Sequence, residues 1–220
     1  MLMSNIQVVE SHFLISASNA NNAPAPKDSE IVCLGRSNVG KSTFINTILN
    51  KPLAKSSATP GKTQLINFFT SLWIYENERI PLTFIDLPGF GYAKVSKSLK
   101  AQWEEHLFHF LQTRQSLKLF LHLVDSRHIN TQKDQIMSGL LEKISHNDQY
   151  ILRIYTKADK LTQNELNALK NSIDSHKDKN LPNTHCLIFS ANTKNHRKMT
   201  SVAQMRAKIL TYTLGLQNGV

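Results

Sequence analysis

The segment Gly35-Arg36-Ser37-Asn38-Val39-Gly40-Lys41-Ser42 matches the pattern GxxxxGK[ST] of a phosphate-binding loop. Its glycines allow backbone N–H groups to converge on a β-phosphate. Lys41 offers positive charge to the β- and γ-phosphates, and Ser42 offers a hydroxyl to Mg²⁺. An apolar run precedes the motif and a helical pattern follows it, which is the expected context. Motif and context predict a nucleotide-binding P-loop, which alone does not distinguish ATP from GTP.

A second motif, Asp86-Leu87-Pro88-Gly89, ends the apolar run 80–86. A carboxylate at this point can support the Mg²⁺ shell, and the Gly89 N–H can meet a γ-phosphate. An isolated DxxG is weak evidence, because strand-terminal turns often have this composition. Its position one strand pair after a P-loop favours the nucleotide-binding interpretation.

A third motif, Thr156-Lys157-Ala158-Asp159, follows the apolar run 150–155 and indicates which base is bound. The Asp159 carboxylate can accept hydrogen bonds from N1–H and the 2-amino group of guanine, and adenine lacks this pair of donors. A carboxylate left unpaired by adenine gives strong discrimination. The motif therefore predicts GTP, and Ser190-Ala191 could place a backbone N–H beside the guanine oxygen.

The polar segment 59–64 lies between the first two motifs and contains Thr59 and Thr63. A switch threonine in this position completes the Mg²⁺ shell in the triphosphate state, and we assign that role to Thr63. Phe90 stands where a catalytic glutamine would follow Gly89, and it cannot orient water by hydrogen bonding. We therefore expect slow hydrolysis, on the order of 10⁻⁴ to 10⁻² s⁻¹, with Lys41, Thr63 and Gly89 as the catalytic residues.

The elements that must position these motifs alternate along the chain. Strands are predicted at 31–35, 65–75, 80–86, 117–125, 150–156 and 185–190, and helical periodicity fills most of the intervals. Only four polar residues separate 65–75 from 80–86, which favours an antiparallel hairpin. The fold class is therefore α/β: a mixed, mostly parallel, six-stranded sheet with one antiparallel edge strand and helices on both faces.

Composition restricts the class of protein. The 220 residues suit one domain, which we place at 30–215 after an N-terminal segment and linker at 1–29 and before a tail at 216–220. The net charge of +10 favours a polyanionic partner such as RNA. Two cysteines form no disulfide framework, and the sequence shows neither a signal peptide nor a membrane span. We expect a cytoplasmic protein, with no membrane partner and no need for more than a monomer.

Together these motifs resemble the EngB family of bacterial ribosome-biogenesis GTP-binding proteins. The resemblance rests on GRSNVGKS, TPGKTQLINFF, DLPGFGYAKVSK, VDSRH, TKADKL and FLISA, and it covers roughly residues 13–212. It implies a Ras-like GTPase fold that binds GTP and GDP with Mg²⁺, a role in assembly of the large ribosomal subunit, and a link to cell division and septation. It also suggests a K⁺ held by Asn38. It assigns Mg²⁺ to Ser42 and Thr63, and nucleotide contacts to Gly35, Arg36, Ser37, Asn38, Val39, Gly40, Lys41, Ser42, Gly61, Lys62, Thr63, Gln64, Leu65, Asp86, Leu87, Pro88, Gly89, Thr156, Lys157, Ala158, Asp159, Phe189, Ser190 and Ala191.

Two other classes of function remain open at this point. A P-loop kinase would prefer ATP and need an acceptor, whereas an RNA-binding protein with vestigial hydrolysis would bind RNA equally with GDP or a GTP analogue. The positive charge is concentrated in residues 170–220, which carry eight Lys or Arg and two Asp, a net +6. Ribosomal RNA of the large subunit is the expected target, and Lys94, Lys97 and Lys100 after the DLPG motif could couple this contact to the nucleotide state.

Overall fold

The computed structural model describes residues 6–55, 65–90, 97–129, 131–175, 184–192 and 199–216, with backbone alone at 97–104 and 175. The strands are β1 (Gln7–Ala17), β2 (Ser29–Gly35), β3 (Ile66–Tyr75), β4 (Glu78–Asp86), β5 (Leu117–Asp125), β6 (Tyr150–Thr156) and β7 (Thr184–Ile188). The helices are α1 (Lys41–Leu49), α2 (Lys97–Thr113), α3 (Gln132–Ile144), α4 (Gln163–Ser175) and α5 (Val202–Leu214). Short 3₁₀ turns lie at Ala20–Asn22 and Ala158–Lys160.

The described strands form one sheet in the order β1-β3-β4-β2-β5-β6-β7. Strands β4, β2, β5, β6 and β7 are parallel, while β3 runs antiparallel to both of its neighbours. The mixed α/β class is confirmed, but the predicted count of six strands is wrong because residues 7–17 form a seventh. This strand, β1, pairs with β3 along its outer edge. The antiparallel strand β3 therefore lies inside the sheet and not at its edge.

The core lies on both faces of the sheet, as predicted. Strand β2 shows why: its side chains alternate between the two faces, and residues 30–35 are all buried. Helices α1 and α5 pack with one face, while α2 and α3 pack with the other. A smaller cluster joins α4 to β6 and β7.

Side chains cap the starts of two helices, α3 and α4. Thr131 accepts a hydrogen bond from the Asp134 backbone N–H at the start of α3. Before α4, the Thr162 backbone N–H donates to the Glu165 carboxylate at 2.7 Å, and the Glu165 N–H donates to the Thr162 hydroxyl at 3.3 Å. These reciprocal bonds satisfy donors that a helix N-terminus leaves without partners. No helix in the described part of the chain has the length and apolar character needed to cross a membrane.

Candidate nucleotide-binding site

The predicted motifs follow the carboxyl ends of the parallel strands. The P-loop, the DLPG segment and the TKAD segment begin at the last residues of β2, β4 and β6, and Phe189 follows β7. Strand β2 lies between β4 and β5: the connection that follows β2 leads to β3 on one side of it, and the connection that follows β4 leads to β5 on the other side. Such a switch point creates a crevice at the carboxyl edge, where α/β proteins bind ligands.

The P-loop turns from β2 into α1 through backbone conformations that few residues adopt. Asn38 has φ +65°, and Gly40 has φ +96° just before the first helical residue. Gly35 is required for a different reason: a Cβ there would lie 2.6 Å from the Leu123 carbonyl oxygen of β5. The turn presents the N–H groups at the start of α1 to the crevice, a geometry suited to phosphate.

Lys41 and Asp86 form an ion pair between the P-loop and the end of β4. The parallel register of β2 and β4 pairs Cys33 with Asp86, which brings the carboxylate beside the P-loop. The Asp86 carboxylate is almost fully buried and the Lys41 side chain largely so. A phosphate in the P-loop would therefore compete with Asp86 for the Lys41 ammonium.

The DLPG segment packs directly on the P-loop. The Ser37 hydroxyl donates to the Gly89 carbonyl oxygen at 3.4 Å, and the Phe90 N–H donates to the Gly35 carbonyl oxygen at 3.3 Å. A Cβ added at Gly89 would lie 2.8 Å from the Ser37 Oγ and 2.9 Å from its backbone nitrogen. This contact leaves no room for a side chain at Gly89.

The residues in the crevice offer donor atoms that suit a magnesium ion. Ser42 begins α1, and its hydroxyl donates to the Lys55 carbonyl oxygen at 3.3 Å, which leaves lone pairs on that oxygen. Asp86, which accepts a hydrogen bond from Lys41, adds a carboxylate. Among the described residues no group of three or more His, Cys, Asp or Glu could hold a metal. Mg²⁺ does not need one, because it uses few protein oxygens together with phosphates and water.

Thr156 and Lys157 tie the TKAD segment to the P-loop. The Thr156 hydroxyl lies 2.5 Å from the Val39 carbonyl oxygen and 3.1 Å from that of Val124. The Lys157 ammonium donates to the Asn38 carbonyl oxygen. These bonds fix the segment that carries Asp159 relative to the P-loop.

Asp159 meets the segment after β7. The Ser190 hydroxyl donates to Asp159 Oδ1 at 2.7 Å and accepts from the Asn192 N–H at 3.0 Å. Phe189 is buried, and its ring packs edge-on against Phe44 of α1 at 5.2 Å between centroids. The structure thus brings the Ser190-Ala191 segment and Asp159 together.

Several predicted site residues lie outside the described part of the chain: Gly61, Lys62, Thr63 and Gln64, together with Thr59 and Lys94. The same holds for residues 193–198, which carry part of the basic C-terminal charge. Leu65 is described and exposed. For magnesium, Ser42 is therefore the one predicted ligand whose surroundings are described.

Sequence reasoning missed three ion pairs around the crevice, which involve two carboxylates. Arg36 donates from Nε to Asp134 Oδ2 at 2.8 Å, so its side chain points to α3 and any nucleotide contact falls to its backbone. Asp125, at the end of β5, binds both Arg127 and Lys157. The motif VDSRH, which contains Asp125 and Arg127, was the available signal, but spacing along the chain did not reveal their partners.

Comparison with known proteins gives a family-model match over residues 30–157, to the family described as 50S ribosome-binding GTPase. The probable GTP-binding protein EngB of Helicobacter hepaticus is 62% identical, over 98% of this chain and 100% of that protein. The protein of the same name from Wolinella succinogenes is 54% identical over 75% of this chain and 83% of its own length.

Solved structures agree on the fold. A crystal structure of a probable GTP-binding protein EngB has a TM-score of 0.54 at 19% identity, covering 84% of this chain and 99% of that one. Aquifex aeolicus Era bound to GDP and AlF₄⁻ has a TM-score of 0.60 at 21% identity, covering 85% of this chain and 57% of Era.

Proposed function

This chain belongs to the EngB family of GTP-binding proteins, and we propose that it is a slow GTP-hydrolysing switch in assembly of the large ribosomal subunit. The observation that best supports the proposal is the Ser190–Asp159 hydrogen bond at 2.7 Å, next to a segment that Thr156 and Lys157 tie to the P-loop. A carboxylate suited to a guanine base is thereby fixed relative to a loop suited to phosphates.

In this proposal GTP and GDP bind along the crevice. Backbone N–H groups of the P-loop surround the phosphates, and Asp159 accepts from the guanine N1–H and 2-amino group. The Ser190 hydroxyl holds one oxygen of that carboxylate and so orients it toward the base. Adenine would leave the carboxylate without these donors, and a desolvated unpaired charge is costly.

Hydrolysis transfers the γ-phosphoryl group to water, breaking the bond to the β-phosphate oxygen and releasing GDP and phosphate. Lys41 leaves Asp86 to balance charge on the phosphates, and the Gly89 N–H contacts the γ-phosphate. Ser42 and Thr63 would hold Mg²⁺ with support from the Asp86 carboxylate, and the bound ion would supply positive charge to the phosphates. Phe90 supplies no hydrogen bond to the attacking water, so the unassisted rate is low and a ribosomal partner increases it.

The proposed partner is the large ribosomal subunit and its RNA. The matching family is described as 50S ribosome-binding, and the net +6 charge of residues 170–220 suits a phosphate backbone. The protein acts as a cytoplasmic monomer, and its loss impairs cell division and septation because subunit assembly fails. In the domain division that we propose, residues 30–215 form the GTPase domain.

Titration of labelled GDP, a GTP analogue and ADP into wild type and Asp159→Asn tests the nucleotide assignment. We expect wild type to bind only the guanine nucleotides and the variant to lose them by at least about tenfold. Xanthosine diphosphate should recover binding to the variant, because its 2-oxo group accepts a hydrogen bond where guanine donates one. Asp148→Asn, which changes an exposed carboxylate paired with Lys118, is the matched control and should bind like wild type.

Binding to purified large subunits then tests the switch. We expect tighter association with the GTP analogue than with GDP, and a steep decrease with salt. ATP preference with acceptor-dependent turnover would support a kinase instead, and association indifferent to the nucleotide would support a passive RNA-binding protein.

The proposed K⁺ at Asn38 has its own test. The Asn38 side chain is exposed at the P-loop, where a monovalent cation could balance phosphate charge. GTP hydrolysis should be faster in K⁺ than in Na⁺ at equal ionic strength. Equal rates in the two salts would remove K⁺ from the proposal.

A further inference from the structure

Asp125 is a buried carboxylate beside the crevice that the proposed contacts do not include. It ends β5, which lies between β2 and β6, and its register partner is Thr156. The side chain is 6% exposed. A charged group buried this deeply requires partners that compensate for lost hydration.

Two cations provide that compensation. Arg127 donates from Nε to Asp125 Oδ1 at 2.9 Å and from its terminal nitrogen to Oδ2 at 2.7 Å, a bidentate pair. The Arg127 backbone N–H adds a bond at 3.1 Å. Lys157 donates to Oδ2 at 3.0 Å. Although burial opposes the charged form, the bonds from Arg127 and Lys157 hold the pKa of Asp125 well below its usual range.

Lys157 extends from this carboxylate over the P-loop. Its backbone is left-handed, with φ +57°, and its ammonium also donates to the Asn38 carbonyl oxygen. A Cβ placed at Gly40 would lie 3.8 Å from Lys157 Cε, so the lysine stem crosses the loop at the glycine before α1. Asp125 thus holds the ammonium of a side chain that also bonds to the P-loop at Asn38 and passes close to Gly40.

We propose that Asp125 is a positioning residue for guanine-nucleotide binding, which fixes Lys157 across the P-loop while Arg127 fixes the carboxylate. This inference rests on the proposed function of the crevice. A long flexible side chain that is already ordered loses less entropy when the nucleotide binds. Since Asp125 acts through Lys157 and not on the base, it affects affinity and leaves guanine selectivity unchanged.

The first measurement is the dissociation constant and the dissociation rate of labelled GDP for Asp125→Asn. We expect affinity to fall by about tenfold, the cost of ordering one long side chain, chiefly through faster release. The preference for GDP over ADP and over xanthosine diphosphate should not change, in contrast to Asp159→Asn. Asp148→Asn again serves as the control, because it removes a carboxylate from a lysine on the exposed surface.

A double-mutant cycle with Lys157→Met separates positioning from a general structural role. If Asp125 acts through Lys157, the double variant binds GDP no more weakly than Lys157→Met alone. Arg127→Gln should cost much less than Asp125→Asn, because it leaves the Asp125–Lys157 bond in place. Should Asp125→Asn fail to fold in urea titrations, Asp125→Glu replaces it in the cycle with the same expectation.

Three outcomes would overturn the inference: unchanged GDP release in Asp125→Asn, additive losses in the cycle, or equal losses from Arg127→Gln and Asp125→Asn. Each of them is compatible with guanine-nucleotide binding by wild type. Failure of wild type to bind GDP would instead contradict the proposed function itself. The two failures are therefore distinguishable in one series of titrations.

Discussion

The hydroxyl of Thr156 lies 2.5 Å from the carbonyl oxygen of Val39, so a side chain at the end of β6 is hydrogen-bonded to the P-loop. The same hydroxyl lies 3.1 Å from the Val124 carbonyl oxygen on β5, and Thr156 is buried. One group therefore links the P-loop to two neighbouring strands. Because an aliphatic side chain could fill this space but could not donate, the hydroxyl is the functional part of the residue.

Replacing Thr156 by Val keeps the shape of the side chain and removes the donor. We expect the free energy of unfolding to fall by about 1–3 kcal/mol, since buried carbonyl oxygens lose a partner. GDP affinity should fall as well. Urea denaturation with and without GDP measures both effects. Thr156→Ser retains the hydroxyl and should remain close to wild type in GDP affinity, and a Ser variant as impaired as the Val variant would contradict this account.

Two glycines should respond oppositely to a methyl group. Gly89→Ala places a Cβ 2.8–2.9 Å from Ser37, including its backbone nitrogen, so the P-loop must shift. We expect a loss of about 1–3 kcal/mol in stability and weaker binding of both GDP and a GTP analogue. Gly139→Ala, within α3, meets nothing within 4 Å and should raise stability by up to about 1 kcal/mol. Thermal unfolding and GDP titration of the two variants test this contrast.

Local patterns in the sequence predict most of the fold. The alternation of apolar runs and helical stripes predicts the strands β2–β7 to within a few residues, because parallel strands buried on both faces are continuously apolar. Strand β1 was missed because most of its residues are accessible to solvent, Phe13, Leu14 and Ile15 among them, and within the strand only Ser11 and Ala17 are buried. Its pairing with β3 joins residues more than 40 positions apart, which no local pattern indicates.

The sequence likewise predicts one part of the candidate site and not the other. Its motifs are contiguous in sequence, so P-loop, DLPG and TKAD can be recognised directly. The Asp134 partner of Arg36 and the Lys157 partner of Asp125 cannot, because they depend on which strands and helices become neighbours. Asp134 lies 98 positions from Arg36 and meets it only after α3 packs beside the P-loop. Charge pairs set by the strand order are thus the part of the site that required a structure.

Arg114 and Glu30 form a buried ion pair, and breaking it should lower the stability of the protein. Arg114 donates from its terminal nitrogen to Glu30 Oε1 at 2.6 Å and to the Pro24 carbonyl oxygen at 2.8 Å. Arg114→Met leaves the Glu30 carboxylate buried without this cation, and we expect a loss of about 3–5 kcal/mol in urea denaturation. Lys118→Met breaks an exposed pair with Asp148 and should cost at most about 1 kcal/mol. Similar losses in the two variants would contradict the role of burial.

His122 predicts how stability depends on pH. It is fully buried on β5, and burial lowers its pKa even though Asp134 favours the charged form, while Arg153 and Arg36 oppose it. The folded protein therefore keeps this imidazole neutral, whereas the unfolded chain takes up a proton below about pH 6.5. Stability is complete above that pH and decreases as pH falls, by at most about 1.4 kcal/mol per pH unit for one proton. Urea denaturation between pH 8 and pH 4.5 measures this slope.

The control for His122 must account for other groups that titrate nearby. Burial also lowers the pKa of His185, whose window overlaps that of His122. The pKa of Asp134 is lowered as well, because nearby His122 and the Thr131 hydroxyl favour the carboxylate more than burial opposes it, but its stabilisation is lost only in more acidic solution, below about pH 4. His122→Gln should therefore make the profile less steep between pH 6.5 and 4.5 while retaining the contribution of His185. A profile that keeps its full slope in His122→Gln would show that His122 takes up its proton in the folded protein too.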